Sequence, residues 1–518
     1  MPTPMPPSPS PPPPSATGTD VLTYKYDLSR SGLNPKESTL TPANVAPATF
    51  GLLRVLSVDG KVDAQPLYVS KLAVAGASHN VVIVATEHDS VYAFDSDTGA
   101  SLWKVSLLGS GETLSDTHGC GQVTPEIGIT STPVIDRSAG AHGAVFVVAM
   151  SKDASSAYHQ RLHALDLATG AELPHSPVEI SATFSTAGGG TTTFSPGQYE
   201  ERAALLLTNG TIVTSWTSHC DIPPYSGWII AFAENSLART AILNVGPNGD
   251  AGPAIWMSGG GPAVDSAGNV FLLTANGAFE TVLDAGGFPQ HGDFGNSFLK
   301  VAMTGGTLTV ADYFTMSNEA AESAADRDLG SGGALLLPDL KDAAGAVRHL
   351  VIGAGKDGNI YVVDRDSMGK FSAAANAIWQ QLTGALPGGI WSTPAYFNGS
   401  VYYGDANSTL KAFSIANAKL SGAPQSQSPT HFTFPGTAPS VSANGSANGI
   451  VWAHENSNPA VLHAYDAANL ATEIYNSNQA AGGRDQFGPG NKFITPTVAD
   501  GKVFVGATAG VAVFGLLH

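Results

Sequence analysis

The chain has 518 residues, 13% of them charged, with 24 Lys and Arg against 42 Asp and Glu and a net charge of −18. That balance leaves no cationic face for DNA, RNA or anionic lipid, so nucleic acid is excluded as a partner. No apolar run reaches the roughly eighteen residues that a transmembrane segment needs, and 59 Gly with 34 Pro point to an all-β chain full of turns.

Residues 1–18, MPTPMPPSPSPPPPSATG, have neither the basic nor the apolar region of a signal peptide and read as a disordered proline-rich leader. Leaders of this kind follow secretory or lipoprotein cleavage sites, so the expected location is extracytoplasmic, either periplasmic or secreted. Residues 19–518 read as a single domain organised by one repeated unit. Its first full copy is NVVIVATEHDSVYAFDSDTGASLWK, from Asn80 to Lys104. Val81 to Ala85 and Val91 to Phe94 are apolar runs, and Asp95, Asp97, Thr98 and Gly99 form the closing turn. Asp bonds its own backbone two residues on and Gly accepts positive φ, so the unit reads as a hairpin.

The second strand and its turn recur from Leu162, Trp228, Ser297, Ile360, Leu410, Leu462 and Val511. Spacings of about seventy residues early and about fifty later match propeller blades with loop insertions. Eight copies predict an eight-bladed β-propeller of four-stranded antiparallel blades. The last copy stops after one strand, so its missing strand is expected from the N-terminal segment around Leu52 to Val69, closing the ring and hiding a sheet edge.

Cys120 and Cys220 each follow a histidine, as His118-Gly-Cys120 and His219-Cys220. Three outcomes stay open for them: one disulfide in an oxidising compartment, two free thiols, or a Cys2His2 metal site without the usual CxxC or HxxxH spacing.

From Tyr24 the sequence YKYDLSRSGLNPKESTLTPANVAPATFGLLRVLSVDGKVDAQPLYV, with Asn44-Val45 and the Asp63 to Leu67 strand, resembles the N-terminal entry of the pyrroloquinoline quinone (PQQ) dehydrogenases. The resemblance extends over almost the whole chain. It implies an eight-bladed propeller that binds PQQ and Ca²⁺ and oxidises a small alcohol or sugar. It places Asp63 beside the cofactor, Cys120 on one face of the quinone, and Trp256, in AIWMSGGG, as the floor beneath it. It makes Asp221, in SHCDIPPYSGW, and Asn276, in TANGAFE, metal ligands together with Asp328. Asp328, in DRDLGSGGALLLP, is also the catalytic base that takes the alcohol proton, and Lys356, in GAGKDGNIYVVD, polarises the quinone carbonyl. Trp391, in PGGIWSTP, is a further contact to the quinone plane.

The chain also departs from that pattern. Gly121 stands where a second, adjacent cysteine is expected, Pro125 and Glu126 where a basic residue should meet the PQQ carboxylates, and Ile390 where an Asn should bond the cofactor. Lanthanide-dependent relatives carry a second acid at the position of Gly330, so calcium is the expected metal. No CxxCH haem motif is present, and a separate electron acceptor such as a cytochrome c is expected.

Taken without the resemblance, the same residues have plain roles: Asp63 as a strand cap, Trp256 as inter-blade packing, Asn276 as an Asn-Gly turn, Asp328 as a loop acid and Lys356 as a turn lysine. Two alternative functions follow. One is a propeller that has lost the cofactor and works as a binding or assembly module. The other is a polysaccharide lyase or hydrolase using His118, His219, Tyr225, Glu126 and Asp221 as acid, base or metal ligands.

Overall fold

The computed structural model describes residues 20–248 and 252–517, so the proline-rich leader lies outside the described residues. In the first repeat, Val81 to Ala85 and all of Ser90–Asp95 are buried, whereas the following strand, Ser101–Ser106, is partly exposed along its length. Strands covered on both faces read as continuous apolar runs, which is why the middle strands of each unit stand out in the sequence and the outer ones do not.

Eight such antiparallel sheets make the eight blades, and short strands from the entry loops extend several of them. The innermost strands of blades 1 to 8 are Leu67–Val74, Val134–Asp136, Leu206–Thr208, Ala263–Val264, Leu335–Leu336, Ala395–Phe397, Ser440–Asn444 and Thr497–Ala499. Blade 8 takes three strands from the C-terminus, and Phe50–Ser57 pairs antiparallel with Gly510–Leu516 to complete it. The expected closing stretch, Leu52 to Val69, is therefore divided: its first part closes blade 8, and Leu67–Val74 opens blade 1.

The Asp-x-x-Thr-Gly turns form as their chemistry requires. Asp95 Oδ1 accepts from the Asp97 and Thr98 N–H groups and the Thr98 hydroxyl at 3.0, 2.7 and 2.9 Å. Asp166 does the same in blade 2 at 3.0 Å to Ala168, Thr169 and the Thr169 hydroxyl. The Trp103 ring from blade 1 lies on the blade 2 turn and donates to Leu167 O at 3.0 Å. A Cβ on Gly170 would meet that ring at 2.6 Å, and Gly170 has φ +71, so glycine is required on both counts.

Residues 21–34 circle the propeller axis. Val21 pairs with Tyr68 of blade 1, and Ile135, Val264, Leu336, Tyr396 and Val441 of blades 2, 4, 5, 6 and 7 donate to Leu22, Leu28, Ser29, Ser31 and Gly32 at 2.7–2.9 Å. Lys25 and Arg30 are buried there without a carboxylate partner among the described residues. Arg30 Nε donates to Pro262 O at 2.8 Å, and the Lys25 ammonium to Pro394 O at 3.4 Å and to Pro439 O. This segment floors the axis.

Candidate active site

In an antiparallel blade the start of the innermost strand and the end of the second strand lie on one face. Asp63, Cys120, Trp256, Asp328 and Trp391 all precede innermost strands, and Asp221, Asn276 and Lys356 all follow second strands. Topology alone thus brings every residue expected at the site to the same mouth of the propeller, above the floor of residues 21–34.

Asp328, Asn276 and Lys356 meet directly. Asp328 is 4% exposed; its Oδ1 accepts the Asn276 N–H at 2.8 Å and its Oδ2 lies 2.5 Å from the Lys356 ammonium. Lys356 N–H also donates to Asp328 O at 2.8 Å. Burial raises the Asp328 pKa, and the Lys356 charge opposes that rise. Burial works against the Lys356 charge as well, yet Asp328 and then Asp326, 3.0 Å away, raise its pKa overall. The expected role of Lys356 at a quinone carbonyl therefore competes with its hold on this carboxylate pair. At Gly330 a Cβ would lie 2.5 Å from the backbone of Thr274 and Ala275, so no second acid fits at that position.

Asp221 stands apart from that group. It lies in an exposed turn at φ +54, and no hydrogen bond or ion pair joins it to Asn276 or Asp328 among the described residues. Tyr225 stands between: burial first, then its hydrogen-bonded neighbour Asp221, then Asp328, push the phenol pKa up. Calcium takes six to eight oxygen ligands. Here two carboxylates, Asp326 and Asp328, already hold an ammonium, and the Asn276 side chain donates to Asp326 at 3.1 Å. Among the described residues no group of three or more His, Cys, Asp or Glu is placed to hold a metal ion. This donor set does not fit calcium, and no chemistry below is routed through one.

Asp63 accepts from Asn491 Nδ2 at 2.8 Å and pairs with Lys61 at 3.1 Å. Its neighbour Glu87 is fully buried and accepts from Gly128 N–H and the Thr130 hydroxyl at 2.9 and 3.0 Å. Burial and the adjacent Asp63 push the Glu87 pKa well up. Trp256 is buried with the Arg202 guanidinium 5.9 Å from its ring centroid. Trp391 packs edge-on against Phe434 at 5.1 Å and lines a small cavity with His454, Asn491 and Phe493. Ile390, in the expected Asn position, is instead buried in the apolar layer between blades 5 and 6.

Cys120 and Cys220 form a disulfide, which removes both the free-thiol and the metal-site outcomes. It ties the entry loop of blade 2 to a turn of blade 3, and the His118 and His219 rings stack beside it at 4.1 Å. Of the residues expected for a lyase or hydrolase, His118 joins His219 and Asp221 joins Tyr225. Glu126 goes elsewhere, to His88 at 2.8 Å.

Sequence reasoning missed Arg202, Lys492 and Lys61. The one local signal was EERAALLL, a charged triplet that runs straight into a buried strand. Arg202 has unspent donors beside the Trp256 ring. That combination of an aromatic face and cationic donors fits the flat, carboxylated ring system of PQQ.

No family model matches the chain, and no curated protein matches it. Solved structures do. A quinohemoprotein alcohol dehydrogenase from Comamonas testosteroni is similar over 96% of this chain and 80% of its own, at 14% identity and TM-score 0.64. The chain has the propeller fold of the quinoprotein alcohol dehydrogenases. A europium-containing methanol dehydrogenase matches over 96% and 98% at 14% identity and TM-score 0.59. BamB from Moraxella catarrhalis matches over 90% and 98% at 14% identity and TM-score 0.50. At such identities these quinoprotein and BamB likenesses establish the fold, and function rests on the site.

Proposed function

We propose that the chain is a dehydrogenase-like propeller that oxidises a hydroxyl group of an alcohol or sugar with PQQ held in its funnel. The observation that carries this reading is Asp328, a buried carboxylate clamped by the Asn276 N–H and the Lys356 ammonium at the mouth of the axis. Ionised, Asp328 accepts the hydroxyl proton of a substrate, and Lys356 keeps it ionised against the cost of burial. Bound PQQ would supply the two-electron acceptor. Trp256 and Trp391 offer ring faces, and Arg202 offers donors to a carboxylate. Electrons would leave to a separate acceptor such as a cytochrome c.

An extracytoplasmic location is part of the proposal, supported by the Cys120–Cys220 disulfide. Among the described residues no helix is long and apolar enough to cross a membrane.

One observation favours a second reading, a binding or assembly module: both Asp328 oxygens are already engaged and the calcium donor set is incomplete. Calorimetric titration with PQQ, with and without CaCl₂, followed by dye reduction with a panel of alcohols and sugars, decides between them. Saturable PQQ binding that does not require calcium, with hydroxyl-dependent dye reduction, supports the dehydrogenase. No saturable PQQ binding, with or without CaCl₂, supports the module.

A further inference from the structure

Three cations reach the funnel from separate parts of the chain: Arg202 before the innermost strand of blade 3, Lys492 before that of blade 8, and Lys61 on the connection into blade 1. Arg202 is 2% exposed, yet its Nε and Nη1 have no hydrogen-bond partner among the described residues. The closest carboxylate paired with it, Glu200, is 3.6 Å away, beyond hydrogen-bond reach. The guanidinium lies 4.9 Å from the Phe493 centroid as well as beside Trp256, and the Lys492 ammonium lies 5.8 Å from the same Phe493 ring. Burial, then repulsion from Arg202 and Lys61, holds the Lys492 pKa below the usual ammonium range. The acids that face this group are Asp63, paired with Lys61, together with Glu200 and with Glu87, whose pKa burial and Asp63 raise.

Asp63 and Glu200 supply part of the counter-charge, yet a buried guanidinium with idle donors beside two further ammonium groups is stabilised further by a ligand that brings more. The surrounding surface is aromatic, so that ligand must be flat and must present more than one anionic group. We infer that Lys61, Arg202 and Lys492 form a recognition site for a planar aromatic polycarboxylate. Arg202 takes one carboxylate through a charge-assisted hydrogen bond, and the two lysines act as point charges toward the others. The identity of the natural ligand as PQQ rests on the proposed function; the chemical class does not. The arrangement also explains why Glu126 can stand where a basic residue was expected: the cations arrive from three other places, and Glu126 is paired with His88.

The test is calorimetry of the full chain with PQQ, with trimellitate and with benzoate, at low and high salt. It is run on the wild type and on Arg202→Gln and Lys492→Gln, with thermal melts to confirm folding. The expected result is binding of both polycarboxylates, at least roughly tenfold weaker binding of benzoate, and affinity that falls with salt. Each substitution should weaken both polycarboxylates by roughly tenfold, the loss of one charge-assisted hydrogen bond. Trimellitate binding without PQQ binding supports the recognition site and overturns the cofactor reading. PQQ binding unchanged in both variants overturns the recognition site and leaves the cofactor reading standing. Binding of neither overturns both. Should Arg202→Gln fail to fold, Lys492→Gln, at a partly exposed position, carries the comparison.

Discussion

The Lys356 ammonium lies 2.5 Å from the Asp328 carboxylate while the Lys356 N–H donates to the Asp328 carbonyl at 2.8 Å, so one residue fixes both the backbone and the charge of its partner. The end of the second strand of blade 5 thereby sets the position of the loop that leads into its first.

Removing that charge has a signed consequence for pH dependence. Burial raises the Asp328 pKa and Lys356 opposes it. In Lys356→Gln the opposition is lost, so the acid limb of the kcat/KM profile should move to higher pH, by roughly one to three units. An unshifted limb would show that Asp328 is not the titrating base.

The Cys120–Cys220 bridge spans a sequence separation of 100 residues. Loop closure of that size stabilises mainly through the unfolded chain, so Cys120→Ser with Cys220→Ser should cost about 2–4 kcal/mol in denaturant unfolding. Thiol titration of the native protein should find no reactive cysteine. Stoichiometric labelling without reductant would contradict the bridge.

Trp103 and Gly170 dock blade 1 on blade 2. Gly170→Ala places a methyl group 2.6 Å from the Trp103 ring at a positive φ and should destabilise by more than about 1 kcal/mol. Gly76→Ala shares the positive φ but meets nothing within 4 Å, and should cost less. Equal melting shifts would remove the docking contact from the account.

Lys25, buried in the axial floor, has its pKa lowered to about 7 by desolvation. In the unfolded chain it titrates near 10.5, so between these values the unfolded state binds more protons and stability rises with pH. The difference in unfolding free energy between wild type and Lys25→Met should therefore change across pH 7 to about 10 and be flat below. A difference independent of pH would mean that Lys25 keeps its unfolded-state pKa, charged and solvated in the fold.

Much of this was legible in the sequence, and what was not has a physical reason. Asp95 and Asp166 turns are local chemistry, readable from five residues, and the recurrence of the apolar strand before such turns counts the blades. Asp328, Asn276 and Lys356 were singled out by the resemblance to the PQQ dehydrogenases, and the propeller brings the three together. The closing strand was legible in kind but not in extent, since nothing local divides Phe50–Ser57 from Leu67–Val74. Whether Cys120 and Cys220 bridge, stay free or bind a metal was undecided, because spacing carries no information on contact at long range. Arg202, Lys492 and Lys61 were invisible for the same cause: they become neighbours only when blade 8 closes on blade 1. The circuit of residues 21–34 left no periodic trace, because its backbone hydrogen bonds are spent on six different blades.

The measurement that bears most directly on the central claim is the rate of dye reduction by the PQQ-loaded protein with an alcohol or sugar that it oxidises, compared with the same substrate deuterated at the hydroxyl-bearing carbon. The account predicts turnover with a primary isotope effect, and a loss of roughly a hundredfold or more in Asp328→Asn with PQQ still bound. PQQ-loaded protein that reduces no dye with any hydroxyl substrate, or full activity in Asp328→Asn, would contradict it.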